Sequence, residues 1–292
     1  MSDKSGQRVV VVTGASSGIG KETAKAFAGL GWHVIGTGRN PDRSAAAEKE
    51  IGAAASPDAK VDFLKGDMAL MSETMRIANE IKGLTDRIDV LINNAGGVRD
   101  KRYISSEGTE ETFTANHLAP FLLTRELMPL LKAAAAESQP GDVRVIAVAS
   151  LAYLSTEGLN WGDLQNLNGD FHASPVYCQA KLANVLYTRE LNRRVAADGI
   201  IAHALIPGVV HTNFASHADQ GMQAYLKDAE GKTPEEVAKM LVSMATAPEL
   251  GVNGGRGFYD FEEHPFAPQG ADDQAAGRLW TESEKILADL GY

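Results

Sequence analysis

Tyr177 and Lys181 stand four residues apart in a stretch of helical character from Val176 onwards, so their side chains share one face. A free phenol has a pKa near ~10, and only about one in a thousand is ionised at neutral pH. A lysine cation at about 4 Å, with an effective dielectric near ~20, favours the phenolate by up to ~4 kcal/mol, or roughly three pKa units before desolvation is subtracted. Such a pair can hold and move a proton. The same spacing also occurs in ordinary helices, so it gains meaning from its companions: a glycine turn, and Ser150 closing the apolar strand Val143 to Ala149.

The glycine turn follows Val9-Val-Val-Val12, a run too apolar and β-branched for an exposed strand and suited to a parallel strand covered on both faces. Thr13-Gly14-Ala-Ser16-Ser17-Gly18-Ile19-Gly20 comes next, and then Ile19, Thr23, Phe27 and Leu30 recur at helical spacing until Gly31. Glycines at 14, 18 and 20 clear side chains from the backbone, and the helix directs free amides and its positive dipole end at whatever sits there. That is a cradle for a pyrophosphate. Just after the second strand stands Gly38-Arg39, where an NAD-binding strand end carries an acid for the ribose hydroxyls. Here the acid is absent. Gly38 leaves room, and Arg39 offers a charged forked donor that matches the 2'-phosphate of NADP.

The elements that must position these groups alternate. Strand signals fall at Val9 to Val12, His33 to Thr37, Asp62 to Lys65, Val90 to Asn93, Val143 to Ala149, Ile201 to Ile206 and Gly257 to Phe261, with helical patterns between them. Seven such strands predict an α/β Rossmann fold: one doubly wound, seven-stranded parallel sheet flanked by helices. Ligands bind such a sheet at the carboxyl ends of its strands, where every motif above lies. Thr233 before Pro234, with Glu236 following, signals a helix start, and Val237, Leu241 and Met244 give that helix an apolar face expected near the substrate side.

A chain of 292 residues suits one large domain over 1–292, with cofactor motifs mainly in 9–120 and catalytic and substrate-loop residues mainly in 143–232. A net charge of −10 without Lys/Arg clusters argues against nucleic acid and anionic membrane surfaces. Apolar runs are strand-sized, short of the roughly 20 residues that cross a bilayer, and Met1 to Arg8 is polar. A single cysteine, Cys178, forms no internal disulfide and is compatible with a reducing cytoplasm. The expectation is a cytoplasmic protein with small-molecule partners and no metal.

Gly-x-x-x-Gly-x-Gly behind Thr13, then Asn93-Asn94-Ala95-Gly96, Asn116, Ser150, Tyr177-Cys-Gln-Ala-Lys181 and Pro207-Gly208, in this order, resemble the short-chain dehydrogenase/reductase family over essentially the whole chain. The resemblance implies that Tyr177 donates a proton to a carbonyl oxygen as hydride arrives, or removes it from an alcohol. It implies that Ser150 hydrogen-bonds the same oxygen and that Lys181 also holds the nicotinamide ribose. Asn116 would anchor a proton-resupplying water chain, although a helix-kink or capping role suits it almost as well. The implied cofactor contacts are Gly14, Ser16, Ser17, Gly18, Ile19 and Gly20, Arg39, Asp67 and Met68, Asn94, Ala95 and Gly96, and Pro207, Gly208, Val210 and Thr212, besides Tyr177 and Lys181. Asp67 would contact adenine, and Thr212 the carboxamide of the nicotinamide.

Two features depart from the simplest family pattern. Ala149 stands where many relatives have a second serine, and Ser150 and Tyr177 are 27 residues apart. The phrases Leu159-Asn-Trp161-Gly-Asp163-Leu164, Tyr177 to Asn184 and Arg278-Leu-Trp280 resemble the retinol dehydrogenase and WW-domain oxidoreductase branch; the expectation of a soluble protein differs from the membrane-anchored animal retinol dehydrogenases of that branch. Tyr153, Trp161 and Phe171, with Phe214, Met222 and Tyr225, are candidates for an apolar mouth. The reading is thus an NADP(H)-dependent enzyme interconverting a carbonyl and an alcohol on an apolar or aromatic small molecule. A carbon–carbon double-bond reductase of the protochlorophyllide-reductase type and a non-catalytic NADP-binding sensor are its rivals. Pairing into a homodimer through helices flanking the sheet is left open.

Overall fold

The four valines of β1 (Val9–Val12) are fully buried, and they divide by side-chain parity. Val9 and Val11 enter one hydrophobic core and Val10 and Val12 the other, as a central strand covered on both faces requires. The computed structural model describes residues 6–212, 214, 218 and 220–292. The remaining strands are β2 (His33–Gly38), β3 (Lys60–Lys65), β4 (Val90–Asn93), β5 (Val143–Val148), β6 (Ile200–Leu205), β7 (Arg256–Tyr259) and β8 (Glu262–Glu263). They lie in the order β3-β2-β1-β4-β5-β6-β7-β8, so the winding reverses between β1 and β4.

Strands β1 to β7 pair in parallel, whereas β8 runs antiparallel to β7, giving eight strands where the sequence predicts seven. The extra strand is a two-residue exposed hairpin arm. Asp260 and Phe261, both at positive φ (53° and 65°), make the turn, so Phe261 lies outside the strand predicted to contain it. Hairpins of this kind are signalled by Asn-Gly or Asp-Gly, and this one has neither.

One core packs α3 (Met71–Leu84), α5 (Ala119–Ala136), α6 (Ala173–Val195) and α9 (Asp273–Asp289) on the sheet. The other packs α1 (Gly18–Gly29), α2 (Pro41–Ala54) and α8 (Pro234–Thr246). Two shorter helices are α4 (Glu111–Phe113) and α7 (Gln220–Asp228). The capping box of Thr233 and Glu236 starts α8, with Glu236 N–H donating to Thr233 Oγ1 (3.2 Å) and Thr233 N–H to Glu236 Oε2 (2.7 Å). Yet α8 packs against α1, on the face opposite α6, and not toward the substrate side. Its apolar stripe fits the hydrophobic face of β5 and β6 there.

α6 has no exposed residue between 176 and 192, because α9 lies along it. Trp280 of α9 stacks on Tyr187 (centroids 6.1 Å, 11° between planes) and meets Phe121 edge-on at 4.7 Å, while His117 bonds Ser283 (2.7 Å). One face of α6 is thus covered by the same chain. Among the described residues, no helix is long and apolar enough to cross a membrane.

Candidate active site

Every strand of the β3-to-β6 block ends at one cleft of about 1420 Å³. Gly14 and residues 16–19 line it after β1, Arg39 after β2, Asp67 and Met68 after β3, and Asn94, Ala95 and Gly96 after β4. Ser150 follows β5, Pro207, Gly208, Val210 and Thr212 follow β6, and Tyr177 and Lys181 enter from α6.

The turn at its centre is close-packed. Gly18 opens α1 at φ +54°, and a Cβ on Gly20 would collide with the Gly14 carbonyl oxygen and the Asn94 amide, so Gly20 serves beneath the cleft without lining it. Thr13 Oγ1 accepts from the N–H groups of Asn94 (3.0 Å) and Ala95 (2.9 Å), and Asn94 Nδ2 donates to the Thr13 carbonyl (2.8 Å). Those bonds staple the first and fourth strand ends into one wall. Ser17 makes no side-chain cap on α1, which leaves the first-turn amides of that helix to an anion in the cleft.

At the other end of that wall, Arg39 forms a half-exposed ion pair with Asp67 (3.6 Å). Gly38 does not provide open room as the sequence suggests. A Cβ there would lie 2.6 Å from Ser44 Oγ and 2.7 Å from Ser16 Cβ, so packing between β2 and the turn demands the glycine. Arg43 also lines the cleft, a second cation that sequence reasoning missed. Its place at the start of α2, where Asn40 Oδ1 accepts from Arg43 N–H (2.9 Å), was the available signal.

Tyr177 and Lys181 sit together in α6, with Lys181 Nζ 5.6 Å from the Tyr177 ring centroid and donating to the Val148 carbonyl (2.9 Å). Both are nine-tenths buried or more. The expected acidification of the phenol by the ammonium is not what the protein imposes. Burial pushes the Tyr177 phenol well above its ordinary value, only partly offset by its hydrogen bond with Ser150. The same burial brings the Lys181 ammonium down to about 7. Low-dielectric surroundings disfavour each charged form more than their mutual attraction favours it.

Asn116 lies in a π-helical turn (Thr114–Leu118) and does not reach the cleft. Its Nδ2 donates to the carbonyls of Gly97 and Thr112 (2.7 Å each), and its buried Oδ1, without a partner among the described residues, lies where a Cβ on Gly96 would have to sit. It thus braces the turn behind Gly96 and the helix it interrupts.

The expected mouth is partly reassigned. Tyr153 is fully buried, its ring edge-on to Phe266 (6.2 Å) and its hydroxyl accepting from Ala267 N–H (3.1 Å), so it is core and not mouth. Trp161 packs against the larger core beneath the Arg278 guanidinium (4.3 Å) and is also away from the cleft. Both are bulky aromatics drawn into packing by α9 and the segment before it. Phe171 backs the wall in a cluster with Tyr177, Val98 and Ala218 without lining the cleft. Phe214 does line it, 5.3 Å from the Tyr177 ring, as does Met222, while the side chain of Tyr225 lies outside the described residues. Leu151, Ala152, Cys178 and Leu226 complete an apolar wing that the sequence did not single out, although Leu151 and Cys178 directly follow Ser150 and Tyr177.

Residues 8–161 match the model of the short-chain dehydrogenase family, and the chain belongs to that family, the oxidoreductases acting on CH–OH groups. It is 34% identical over 287 residues to retinol dehydrogenase 13 of Homo sapiens, covering 96% of this chain and 84% of that one. It is 35% identical over 289 residues to human polyprenol dehydrogenase, covering 97% and 86%. A putative gluconate 5-dehydrogenase from Beutenbergia cavernae, solved with NADP bound, superposes with a TM-score of 0.66 at 27% identity, over 86% of this chain and 94% of its own.

The family uses a nicotinamide dinucleotide, and this cleft fits one. The close-packed glycine turn and the uncapped amides of α1 would hold its pyrophosphate. Asn94, Ala95 and Gly96 would flank the middle of the molecule, with Tyr177 and Lys181 at its reactive end.

Proposed function

We propose that the protein is an NADPH-dependent reductase of aldehydes or ketones on apolar or aromatic small molecules, running in reverse on the alcohols. The observation that carries this reading is the convergence of Ser150, Tyr177 and Lys181 on one wall of the dinucleotide cleft, beside Phe214, Met222 and Leu226. The bound nicotinamide supplies hydride to the carbonyl carbon. Tyr177 gives its proton to the carbonyl oxygen, and Ser150 holds that oxygen with its hydroxyl. A phenol raised by burial stays protonated at neutral pH, the form from which Tyr177 would donate. Lys181 would hold the nicotinamide ribose and, with a pKa brought down to about 7, can exchange a proton with solvent near neutrality.

Arg39 and Arg43 at the adenosine end support NADP, since two cations outnumber the one acid, Asp67, beside them. The names of the relatives, retinol and polyprenol dehydrogenases, are those of isoprenoid alcohols and agree with an apolar wing. The test is steady-state turnover of NADPH with retinal, a steroid ketone, an aryl ketone and an aliphatic aldehyde, with product analysis. Alcohol formation from the apolar carbonyls is expected. An alkene lost with the carbonyl retained would replace this reading with double-bond reduction, and silence across the panel would leave a binding protein.

A further inference from the structure

Arg102 lies beyond β4, outside every motif that the sequence singles out, yet it holds the long insertion between Ser150 and Tyr177. Its Nε donates to the Asn166 carbonyl (2.7 Å), and one terminal nitrogen donates to the carbonyls of Asn168 (2.7 Å) and Gly169 (2.8 Å). The guanidinium also stands over the Phe171 ring, 5.7 Å from its centroid. Three carbonyls converge because the chain turns left-handed at Asn166 (φ 51°) and Gly169 (φ 63°). Asp163 closes the same turn from inside, its carboxylate accepting from the N–H groups of Leu167 (2.9 Å) and Asn168 (2.8 Å). Among the described residues, no hydrogen bond other than those of Arg102 ties residues 166–169 to chain outside the insertion.

The other anchors of the insertion lie nearer its start. Asn160 N–H donates to Gln179 Oε1 of α6 (2.8 Å), and Arg278 covers Trp161. The last part, which carries Phe171 into α6, depends on Arg102. Phe171 packs in the same apolar cluster as Tyr177, Val98, Phe214 and Met222, all of which line the cleft. We propose that Arg102 is a positioning residue that, through its three backbone bonds and its ring contact, fixes Phe171 behind the carbonyl-binding wall and so sets affinity for bulky apolar substrates. A planar fork with fixed donor directions suits three converging carbonyls, and an ammonium does not.

The inference rests on the proposed function for its kinetic half only. The NADPH-saturated enzyme and its Arg102→Ala and Arg102→Lys variants are digested with chymotrypsin, and cuts after Trp161 and Phe171 are followed by mass spectrometry. Freed of its clamp, Arg102→Ala is expected to be cut about tenfold faster after Phe171 and little changed after Trp161, which Gln179 and Arg278 anchor independently, with Arg102→Lys recovering less than half of the loss. With 2-naphthaldehyde, KM should rise about tenfold while kcat stays within about threefold and KM for NADPH within about twofold. Propanal, too small to use the wall, should show little change. Unchanged cleavage overturns the clamp, and equal rises in KM for aldehyde and NADPH overturn the positioning role. A wild-type enzyme inactive on every carbonyl defeats the proposed function instead, and the cleavage pattern still decides the clamp.

Discussion

Lys181→Met should leave the cofactor-free fold more stable near neutral pH and the enzyme without turnover. The reason is the cost of keeping an ammonium in the wall of the cleft. Lys181 falls from an ordinary 10.5 to about 7 by burial, its one direct hydrogen-bond acceptor among the described residues being the Val148 carbonyl. An unfolded lysine keeps its proton up to 10.5, whereas the folded one keeps it only below about 7. Between those values the unfolded chain binds more protons, so stability rises with pH, and below about 7 the penalty is constant. One proton corresponds to ~1.4 kcal/mol per pH unit, so from pH 7.5 to 9.5 this residue should contribute a rise approaching ~3 kcal/mol. The rise should be missing from Lys181→Met. Urea unfolding at half-unit pH steps, with the difference between the two proteins plotted against pH, isolates the residue from every other titration. Parallel curves across that window would refute the argument that burial governs this lysine.

Other consequences are as direct. Arg39→Asp should lower kcat/KM for NADPH by about 10²-fold while sparing or raising that for NADH. An unchanged ratio of the two would remove Arg39 from cofactor selection. His117 and His203 are buried, held at about 3 and about 4, so acid should destabilise the fold as the unfolded chain takes up two protons that the folded one refuses. Stability measured from pH 7 down to pH 5 should fall with a slope nearing two protons, and His203→Gln should remove about one of them.

The parallel sheet was legible because its central strands are apolar runs bounded by turn chemistry, and because each motif falls at a strand end. The phosphate turn was legible for the same reason, as a short local geometry that only glycines satisfy. What depended on distant packing was not. Tyr153 and Trp161 look like substrate contacts by type, but Phe266 and Ala267 enclose the first and Arg278 caps the second, all of them more than 100 residues away in sequence. The π-helical turn that holds Asn116 behind Gly96 has no simple residue signature. The sign of the Tyr177 shift was misjudged because a pairwise charge argument carries no information on burial.

The account depends on Tyr177 as the proton donor, and rapid-mixing turnover of NADPH with an aryl aldehyde by wild type and Tyr177→Phe tests it most directly. Tyr177→Phe keeps the ring against Phe214 and removes only the hydroxyl. Hydride transfer should slow by about 10²-fold or more, while NADPH binds with unchanged affinity in a fluorescence titration. A variant that transfers hydride within a few-fold of the wild-type rate would contradict the assignment.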